Sequence, residues 1–396
     1  MRKICLSVVG LYLGLLSAFS QSSDSAVYKS RKLKLEEINL VSSYYHQDGI
    51  NSAVEGGSGT EKLSDIANVI DVKFIRYDKK ERKHTFTGEV GVDHYTSASS
   101  DRIDAKANSS ASSADTRIYP SLSWSVENEQ KGTTIGLSAS GSSEFDYQSI
   151  GFGASFSKKS ADRNREVSIK AQAFLDKVTL IYPVELRYLL GGVDNNYQTA
   201  SRNSYSGSVS LSQVINEKLQ VSFIADIVKQ DGFLSLPFHR VYFNDNSLHA
   251  ELLPSSRLKI PIGFRANYFL GDKIILRSFY RFYTDDWGLT AHTADIEASY
   301  KISPFFSLTP FYRFYDQTAV DFFAALGVHK PNDPYYTSNY DLSAFNSHFF
   351  GAGFRMAPAK GVFGIQRLSM LEIRYGHYDR SNGLQSDIIS LHLRYK

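Results

Sequence analysis

The strongest constraint on the fold is a strict alternation of apolar and charged side chains late in the chain. Within residues 391–396, Leu, Leu and Tyr alternate with His, Arg and Lys. Successive side chains of a β-strand point to opposite faces, so this segment predicts a strand with one apolar and one charged face. Such strands, with lipid on one side and water on the other, are typical of outer-membrane barrels. The alternation recurs along the chain and predicts an all-β, transmembrane, antiparallel up-and-down β-barrel.

The N-terminal segment predicts export through the general secretion route. Arg2 and Lys3 precede an apolar run from Ile4 to Phe19. That run has the length of a signal-peptide core and is short for a helix that must span about 30 Å of hydrocarbon. We expect residues 1–20 to be a cleaved signal peptide, residues 21–34 a periplasmic tail and residues 35–396 the barrel. The expected location is the outer membrane of a Gram-negative bacterium, with lipid and the barrel assembly machinery as partners.

Composition narrows the classes of partner and cofactor. Hydrophobic residues make up 42% of the chain, too few for a bundle of membrane-spanning helices. Loss of Arg2 and Lys3 with the signal would lower the 44 Lys and Arg to 42, against 41 Asp and Glu, and so nucleic acid is not an expected partner. The single cysteine, Cys5, lies in the predicted signal, and no histidines show metal-ligand spacing. We therefore predict no metal and no cofactor.

Alternation and turn residues predict about sixteen strands, with 14 or 18 as alternatives. They span roughly 35–48, 67–78, 83–96, 115–126, 131–143, 147–157, 165–176, 204–214, 218–229, 256–269, 273–284, 289–301, 305–316, 343–357, 366–378 and 385–396. Links after even-numbered strands are short, and nearly all the long ones follow odd-numbered strands. Outer-membrane barrels have short periplasmic turns and longer extracellular loops, so both ends of the barrel should face the periplasm. We expect a monomer.

Phasing each strand by its apolar residues assigns the other side chains to the lumen. The predicted basic wall contains Lys259, Arg265, Arg277, Arg281, Arg313, Arg355, Arg374 and Arg394, with Asp295, Glu297 and Glu372 as acidic partners. The N-terminal half is mixed, with Asp71, Lys73, Glu89, Asp93, Lys170 and Asp226 pointing inward. Rings of Arg and Lys select anions in pores. A ladder of Arg–carboxylate pairs would instead fill and stiffen the lumen, and both interpretations remain open.

The pentapeptide Phe-Tyr-Arg-Phe-Tyr occurs twice, at 279–283 and at 311–315. The two copies lie two strands apart, so Arg281 and Arg313 should point inward at similar height. Asp295 and Glu297, on the strand between them, are expected to pair with both arginines. We favour a structural cluster below the mouth over a catalytic one.

A turn rich in carboxylates follows the first copy. Asp285, Asp286, Trp287 and Gly288, with His292 shortly after, are expected on the extracellular side. Paired carboxylates and a histidine can bind a cation or activate water. A tight turn whose aspartates accept backbone hydrogen bonds is the favoured alternative. With no nucleophile motif elsewhere, the sequence predicts that the protein is not an enzyme and has no catalytic residues.

Two late loops are apolar for segments expected to be exposed. Their notable residues are Phe238, His239, Arg240 and Tyr242 in the first loop and Phe322, Phe323 and Tyr335 in the second. Loops carry such clusters when they bury them or use them in binding. These segments should either fold into the mouth as a plug or form a docking surface for another protein, and we favour the plug.

The segment 279–292 (FYRFYTDDWGLTAH), together with 237–243 and 181–187, resembles an uncharacterised family of outer-membrane β-barrels, domain of unknown function 3570. The resemblance spans almost all of the predicted mature chain. It implies a single-domain exported barrel encoded near thioredoxin-like proteins, a flavin-transferring enzyme and a small lipoprotein, and hence a periplasmic or surface redox partner. The family has no established catalytic residues to carry over.

The sequence and the resemblance together leave two candidate functions. The first is a porin-like channel or transporter for small, anionic solutes. The second is a non-enzymatic scaffold or export partner for a flavinylated or thioredoxin-linked redox system.

Overall fold

The computed structural model describes residues 31–96, 114–190 and 197–396. The predicted signal peptide and most of the predicted tail lie outside them, as does the loop at 97–113. Within the described ranges, no helix is long and apolar enough to cross a membrane.

The described chain forms a closed antiparallel barrel of sixteen strands. They are β1 Lys34–Asp48, β2 Leu63–Tyr77, β3 Lys83–Thr96, β4 Ala114–Asn128, β5 Thr133–Ser143, β6 Tyr147–Lys159, β7 Arg165–Thr179, β8 Thr199–Asn216, β9 Leu219–Gly232, β12 Ser256–Leu270, β13 Ile274–Asp285, β14 Thr290–Ser303, β15 Phe306–Gln317, β16 Phe345–Met356, β17 Leu368–Arg380 and β18 Gln385–Tyr395. Each pairs with the next, and β18 closes the ring on β1 from Ile38↔Tyr395 to Asp48↔Gln385. The predicted fold class and strand number are confirmed.

Short elements complete the structure at the barrel rims. A two-stranded sheet, β10 Arg240–Tyr242 and β11 Leu248–Ala250, stands apart from the barrel. A four-residue helix spans Arg187–Leu190, and 3-10 turns span Ala53–Glu55, Tyr340–Leu342 and Val362–Gly364.

Two strands begin earlier in the structure than the sequence predicts. β2 begins at Leu63 rather than 67, and β8 begins at Thr199 rather than 204. The residues added to β8 lack an apolar face, but their backbones still pair, for example Thr179 with Thr199. The residues added to β2 include the outward-pointing Ile66. Hydrophobic periodicity therefore marks the lipid-facing part of a strand, whereas backbone hydrogen bonding extends beyond it.

The two faces of the wall follow the predicted parity. Ile66, Ile70, Val90 and Ile296 point outward and are 49–52% exposed in the isolated chain. Burying this apolar surface requires lipid, because each such side chain gains about 1.5–3 kcal/mol on leaving water. Residues of the opposite parity point inward and face one another across neighbouring strands.

The two rims of the barrel differ in the length of the segments that join the strands. Turns such as 217–218, 271–273 and 304–305 join strands at one rim. The opposite rim carries the long loops 49–62, 233–255 and 318–344 and the described residues 180–190 and 197–198. This asymmetry puts almost all the irregular structure over one mouth of the barrel, where the candidate site lies.

Candidate functional site at the mouth and in the lumen

Loops from opposite sides of the barrel meet over the mouth. Loop 49–62 leaves the ring between β1 and β2, and loop 233–255 leaves it between β9 and β12. Eight strands separate these two points in either direction around the sixteen-stranded ring. Arg240 Nη1 nevertheless donates to the carbonyl oxygen of Val54 at 2.7 Å. The two loops must therefore cross above the lumen, and with residues 180–190, 197–198 and 318–344 they form what we call the cap.

A buried ion pair joins three loops of the cap. The Arg240 side chain is 3% exposed and binds Glu185 through Nε at 2.6 Å and Nη2 at 3.0 Å. Its third donor goes to Val54, and its guanidinium lies 5.4 Å from the centre of the Phe238 ring. A bidentate pair of this kind fixes geometry as well as charge. Truncating Glu185 would leave the buried Arg240 charge without compensation, whereas Glu185 itself is exposed to solvent.

A second polar contact joins loop 233–255 to loop 318–344. Glu251, which is 4% exposed, accepts from the Leu236 backbone nitrogen at 2.6 Å and from Thr337 Oγ1 at 2.5 Å. His239 Nδ1 lies 3.6 Å from a Glu251 oxygen. Buried hydrogen bonds of Arg240 and Glu251 thus link the loops of the cap, whereas His239 Nδ1 is buried without a hydrogen-bond partner.

Apolar contacts fill the space between these polar links. Val54, Ile181 and Phe238 form one buried cluster. A second cluster contains Leu253, Trp287, Leu289, Ala291 and Val320, with Phe322 and Phe323 packed against it. Of the loop residues singled out in the sequence, Phe238 and Arg240 are buried, His239, Tyr242, Phe322 and Phe323 are half-buried, and Tyr335 is 38% exposed. These residues pack within the cap and contribute little to its outer surface.

The carboxylates at 285–286 hold the turn together. Asp285 accepts from Arg257 Nη2 at 2.5 Å, from Tyr283 OH at 2.7 Å and from the Trp287 backbone nitrogen at 2.9 Å. Asp286 accepts from the Leu258 nitrogen at 2.9 Å. Arg257, which sequence reasoning missed, also lies 4.3 Å from the Trp287 ring.

The structure does not bring His292 to these carboxylates. His292 pairs across the sheet with Asp316, on the outward parity of β14, and its Nδ1 lies 2.7 Å from Tyr280 OH. The side chain of Asp285 is fully buried at the base of the cap. A hydrolytic centre made of Asp285, Asp286 and His292 is therefore not assembled.

Inside the barrel, ladder register places all eight residues of the predicted basic wall inward. Arg277 faces Glu297 and Arg313 faces Asp295 directly across neighbouring strands. Ion pairs join Arg277 to Glu297 at 2.5 Å, Arg313 to Asp295 at 3.0 Å and Arg374 to Glu297 at 2.9 Å. Weaker contacts join Arg374 to Glu372 at 3.4 Å and Arg394 to Glu37 at 3.7 Å. Part of the wall is thus the predicted Arg–carboxylate ladder.

The expected pairing of Arg281 with Asp295 or Glu297 is wrong. Arg281 faces Thr293 across the strand pair, whereas Glu297 directly faces Arg277. Glu297 uses its second oxygen for Arg374, three strands away. Arg374 reaches that far because it crosses Gly353, where an added Cβ would lie 2.9 Å from Arg374 Cγ, and stacks 5.0 Å from the Phe311 ring.

Four cations of the basic wall form no ion pair in the described chain, although Lys259 faces Asp285 and Arg355 faces Glu372 across the ladder. Lys259, Arg265, Arg281 and Arg355 form no ion pair within 4 Å among residues 31–96, 114–190 and 197–396. The wall is therefore a mixture of the two sequence interpretations. Its paired arginines form the predicted ladder, and its remaining cations are the part of the wall that the anion-selective interpretation requires.

The N-terminal wall carries an acidic group that the sequence analysis only partly found. The inward-facing set near the mouth is Asp65, Asp93, Asp115 and Asp176 on strands, with Glu144 and Asp146 in the turn after β5. Oxygens of Asp115, Glu144 and Asp146 lie within 4.8 Å of one another, the one such group in the described chain whose atoms could hold a metal ion. Asp65 lies six residues before Asp71, so the alternation along β2 would have assigned it to the lumen if the predicted strand had begun earlier. Residues 144–146 form a turn, for which alternation predicts nothing.

Burial affects the two carboxyls of this turn. Burial, followed by repulsion from Glu144 and Asp115, raises the pKa of Asp146 to about 6. Burial also raises the pKa of Glu144, although a hydrogen bond from Tyr95 opposes the shift. A carboxylate is disfavoured where water is excluded and like charges are near.

Comparison with known proteins gives one sequence family and several distant folds. Residues 79–383 match the family described as "Protein of unknown function (DUF3570)". No curated protein matches the chain. Among solved structures, OccD3 (OpdP) of Pseudomonas aeruginosa is similar at 8% identity and TM-score 0.44, covering 92% of this chain and 91% of that one. OpdQ of the same species has 10% identity, TM-score 0.43 and coverages of 92% and 98%. A BenF-like porin from Pseudomonas fluorescens Pf-5 has 8% identity, TM-score 0.40 and coverages of 94% and 100%.

Proposed function

This chain belongs to the DUF3570 family, and we propose that it is an outer-membrane channel for small solutes that carry an anionic group. The proposal rests on the barrel, its lumen charges and the cap.

The outer surface supports the location. A closed barrel leaves no unpaired strand edge, which is the condition for a β-structure to span lipid. The outward apolar side chains lie on all parts of the ring, from Ile66 on β2 to Ile389 on β18. Both ends of the barrel chain lie at the short-turn rim, the periplasmic rim in outer-membrane barrels, so the cap would face the outside.

The observation that carries the solute class is the set of inward cations without carboxylate partners in the described chain. Lys259 and Arg281 lie three and four residues from the outer ends of their strands, just below the cap. Cationic side chains that line a water-filled constriction lower the energy of a passing anion. Arg277, Arg313 and Arg374 contribute less, because Glu297 and Asp295 already neutralise much of their charge.

Single-channel recording in planar bilayers tests this function. Purified, refolded protein should give discrete conductance steps. In a KCl gradient, the reversal potential should shift towards the equilibrium potential of chloride. A barrel that is heat-modifiable, and therefore folded, but that never conducts after the cap is opened would contradict the proposal.

The cap also supports the scaffold as a second candidate function. Crossing loops narrow the outer mouth, as expected of a barrel that holds a partner rather than passing solutes. On this alternative, a periplasmic or surface redox protein co-purifies with the barrel and is lost when 233–255 or 318–344 is trimmed. A trimmed barrel that conducts but still retains its partner would separate the two roles.

A further inference from the structure

The lumen has two walls of opposite charge that face each other across the barrel. Around the sixteen-stranded ring, β3 lies eight places from β13, and β5 lies eight places from β15. Arg281 on β13 is therefore diametrically opposite Asp93 on β3. Arg313 on β15 is opposite the end of β5, where the turn with Glu144 and Asp146 begins.

These charges also lie at a similar depth. Arg281 and Arg313 each lie four residues from the outer end of their strand. Asp93 lies three residues from the end of β3, and Asp115 is the second residue of β4. The opposed acidic and basic side chains therefore lie in one layer of the lumen, directly beneath the cap.

The acidic side of this layer is only partly balanced by cations: Arg117 faces Asp93 and Arg202 faces Asp176 across neighbouring strands, against six carboxyl groups. Asp93 accepts from Tyr119 OH at 2.9 Å, and Asp115 accepts from the backbone nitrogens of Thr116 and Phe145. Arg117 directs its Nε to Ser142 Oγ at 2.9 Å and forms no ion pair with Asp93. Within the described ranges, no lysine or arginine forms an ion pair with Asp65, Asp93, Asp115, Glu144 or Asp146.

Two acceptors of the acidic set have no hydrogen-bond partner among the described residues. Asp65 Oδ1 and Asp176 Oδ1 are both buried and receive no hydrogen bond. A buried carboxylate oxygen without a donor is costly, and an ammonium group is the kind of donor that relieves this cost. With Arg281 also lacking an ion pair in the described chain, each wall offers an unsatisfied charge of opposite sign.

We infer that the solutes this channel favours are zwitterions, small molecules with a carboxylate or similar anion at one end and an ammonium at the other. The inference rests on the proposed channel function and refines its solute class. A simple anion is attracted by one wall and repelled by the other, whereas a zwitterion aligned across the lumen interacts favourably with both. The charges act through water, so the alignment should strengthen at low salt, where the screening length grows to about 30 Å at 0.01 M.

Swelling of liposomes that contain the full-length mature barrel tests the inference. The probes are 4-aminobutyrate, a zwitterion, and 4-hydroxybutyramide, a neutral molecule of similar size, with protein-free liposomes as baseline. The wild-type barrel should admit the zwitterion faster than the neutral solute by about threefold to tenfold in low salt, the scale of a modest electrostatic gain. Added salt should reduce that ratio.

The acidic wall can be neutralised without touching the basic one. The triple variant Asp93→Asn, Asp115→Asn, Glu144→Gln should bring the ratio close to one while leaving the neutral solute's rate unchanged. Asp93→Asn alone, which retains the acceptor for Tyr119, serves if the triple variant does not assemble. Asp272→Asn, in a turn at the opposite rim, is the matched control and should keep the wild-type ratio.

The outcomes separate the two proposals. A folded barrel that admits neither solute overturns the channel and the zwitterion preference together. A barrel that admits both at the same rate, or whose ratio survives the triple variant, overturns the preference and leaves the channel standing.

Discussion

At the scale of single residues, the lumen separates arginines that look equivalent in the sequence. Arg281 and Arg313 occupy the same position of the same pentapeptide, and both point inward at the same depth. Arg313 has Asp295 at 3.0 Å, whereas Arg281 faces Thr293. A charge already balanced by a neighbour contributes little to the potential that a solute meets.

Arg281→Glu should therefore reduce chloride preference more than Arg313→Glu does. The first change replaces an unbalanced cation with an anion. The second leaves Asp295 beside a new carboxylate, and one of the two can take up a proton. Reversal potentials in a KCl gradient measure the difference, with Arg163→Glu, in a turn at the other rim, as control. Equal shifts for the two lumen variants would show that the pairing does not govern selectivity.

Acidification should raise chloride preference between about pH 7.5 and pH 5. Burial and neighbouring carboxylates raise the pKa of Asp146 to about 6, so this group is charged at pH 7.5 and neutral at pH 5. Each proton bound removes a negative charge from the acidic wall and makes the lumen more positive. Reversal potentials across this range should show the change, and Asp146→Asn should reduce it. A pH response that survives intact in that variant must come from other groups.

At the scale of elements, the cap decides whether the barrel is open. Its loops come from opposite sides of the ring and are joined by one buried cation, Arg240, with Glu185 and the Val54 carbonyl. Loop segments with few such links open more easily than a hydrogen-bonded wall does. Removing the Arg240–Glu185 pair should therefore loosen the cap with a single substitution.

Arg240→Ala should increase conductance and expose the loops to protease while the barrel stays folded. The change leaves the Val54 carbonyl without its donor, which should cost about 1–3 kcal/mol, and this cost falls on the cap because neither Arg240 nor Glu185 belongs to the barrel sheet. Channel recordings and limited proteolysis provide the two readouts. Lys330→Ala, an exposed cation on loop 318–344, is the control. Unchanged conductance together with faster cleavage would show that the cap does not limit flow.

At the scale of the whole molecule, stability depends on closing the ring between the first and last strands. Asn39 on β1 is 8% exposed. Its Oδ1 lies 3.1 Å from Arg394 Nε and 3.0 Å from His392 Nε2, both on β18. This inward contact joins segments more than 350 positions apart in sequence, and without such closure β1 and β18 would be two unpaired edges in lipid.

Asn39→Ala should lower the temperature at which the folded, fast-migrating form converts to the unfolded form on electrophoresis. Leaving the charged Arg394 without this acceptor should cost about 1–3 kcal/mol. Ser43→Ala, at an inward position of the same strand, should leave that temperature near the wild-type value. If both variants behave alike, the closure does not depend on this side chain.

The sequence by itself determined the strands and their faces. Alternation with period two is a local property, so the inward parity of Arg277, Asp295 and Arg313 follows from the neighbours of each residue along the chain. Partners are not local: Glu297 reaches Arg374 only because Gly353 leaves room, and Arg281 faces Thr293 rather than a carboxylate on the neighbouring strand. The crossing loops of the cap and the opposition of Asp93 to Arg281 were also beyond sequence reasoning. Both arise from ring closure, which brings together segments nearly two hundred residues apart and depends on tertiary geometry that no stretch of chain encodes alone.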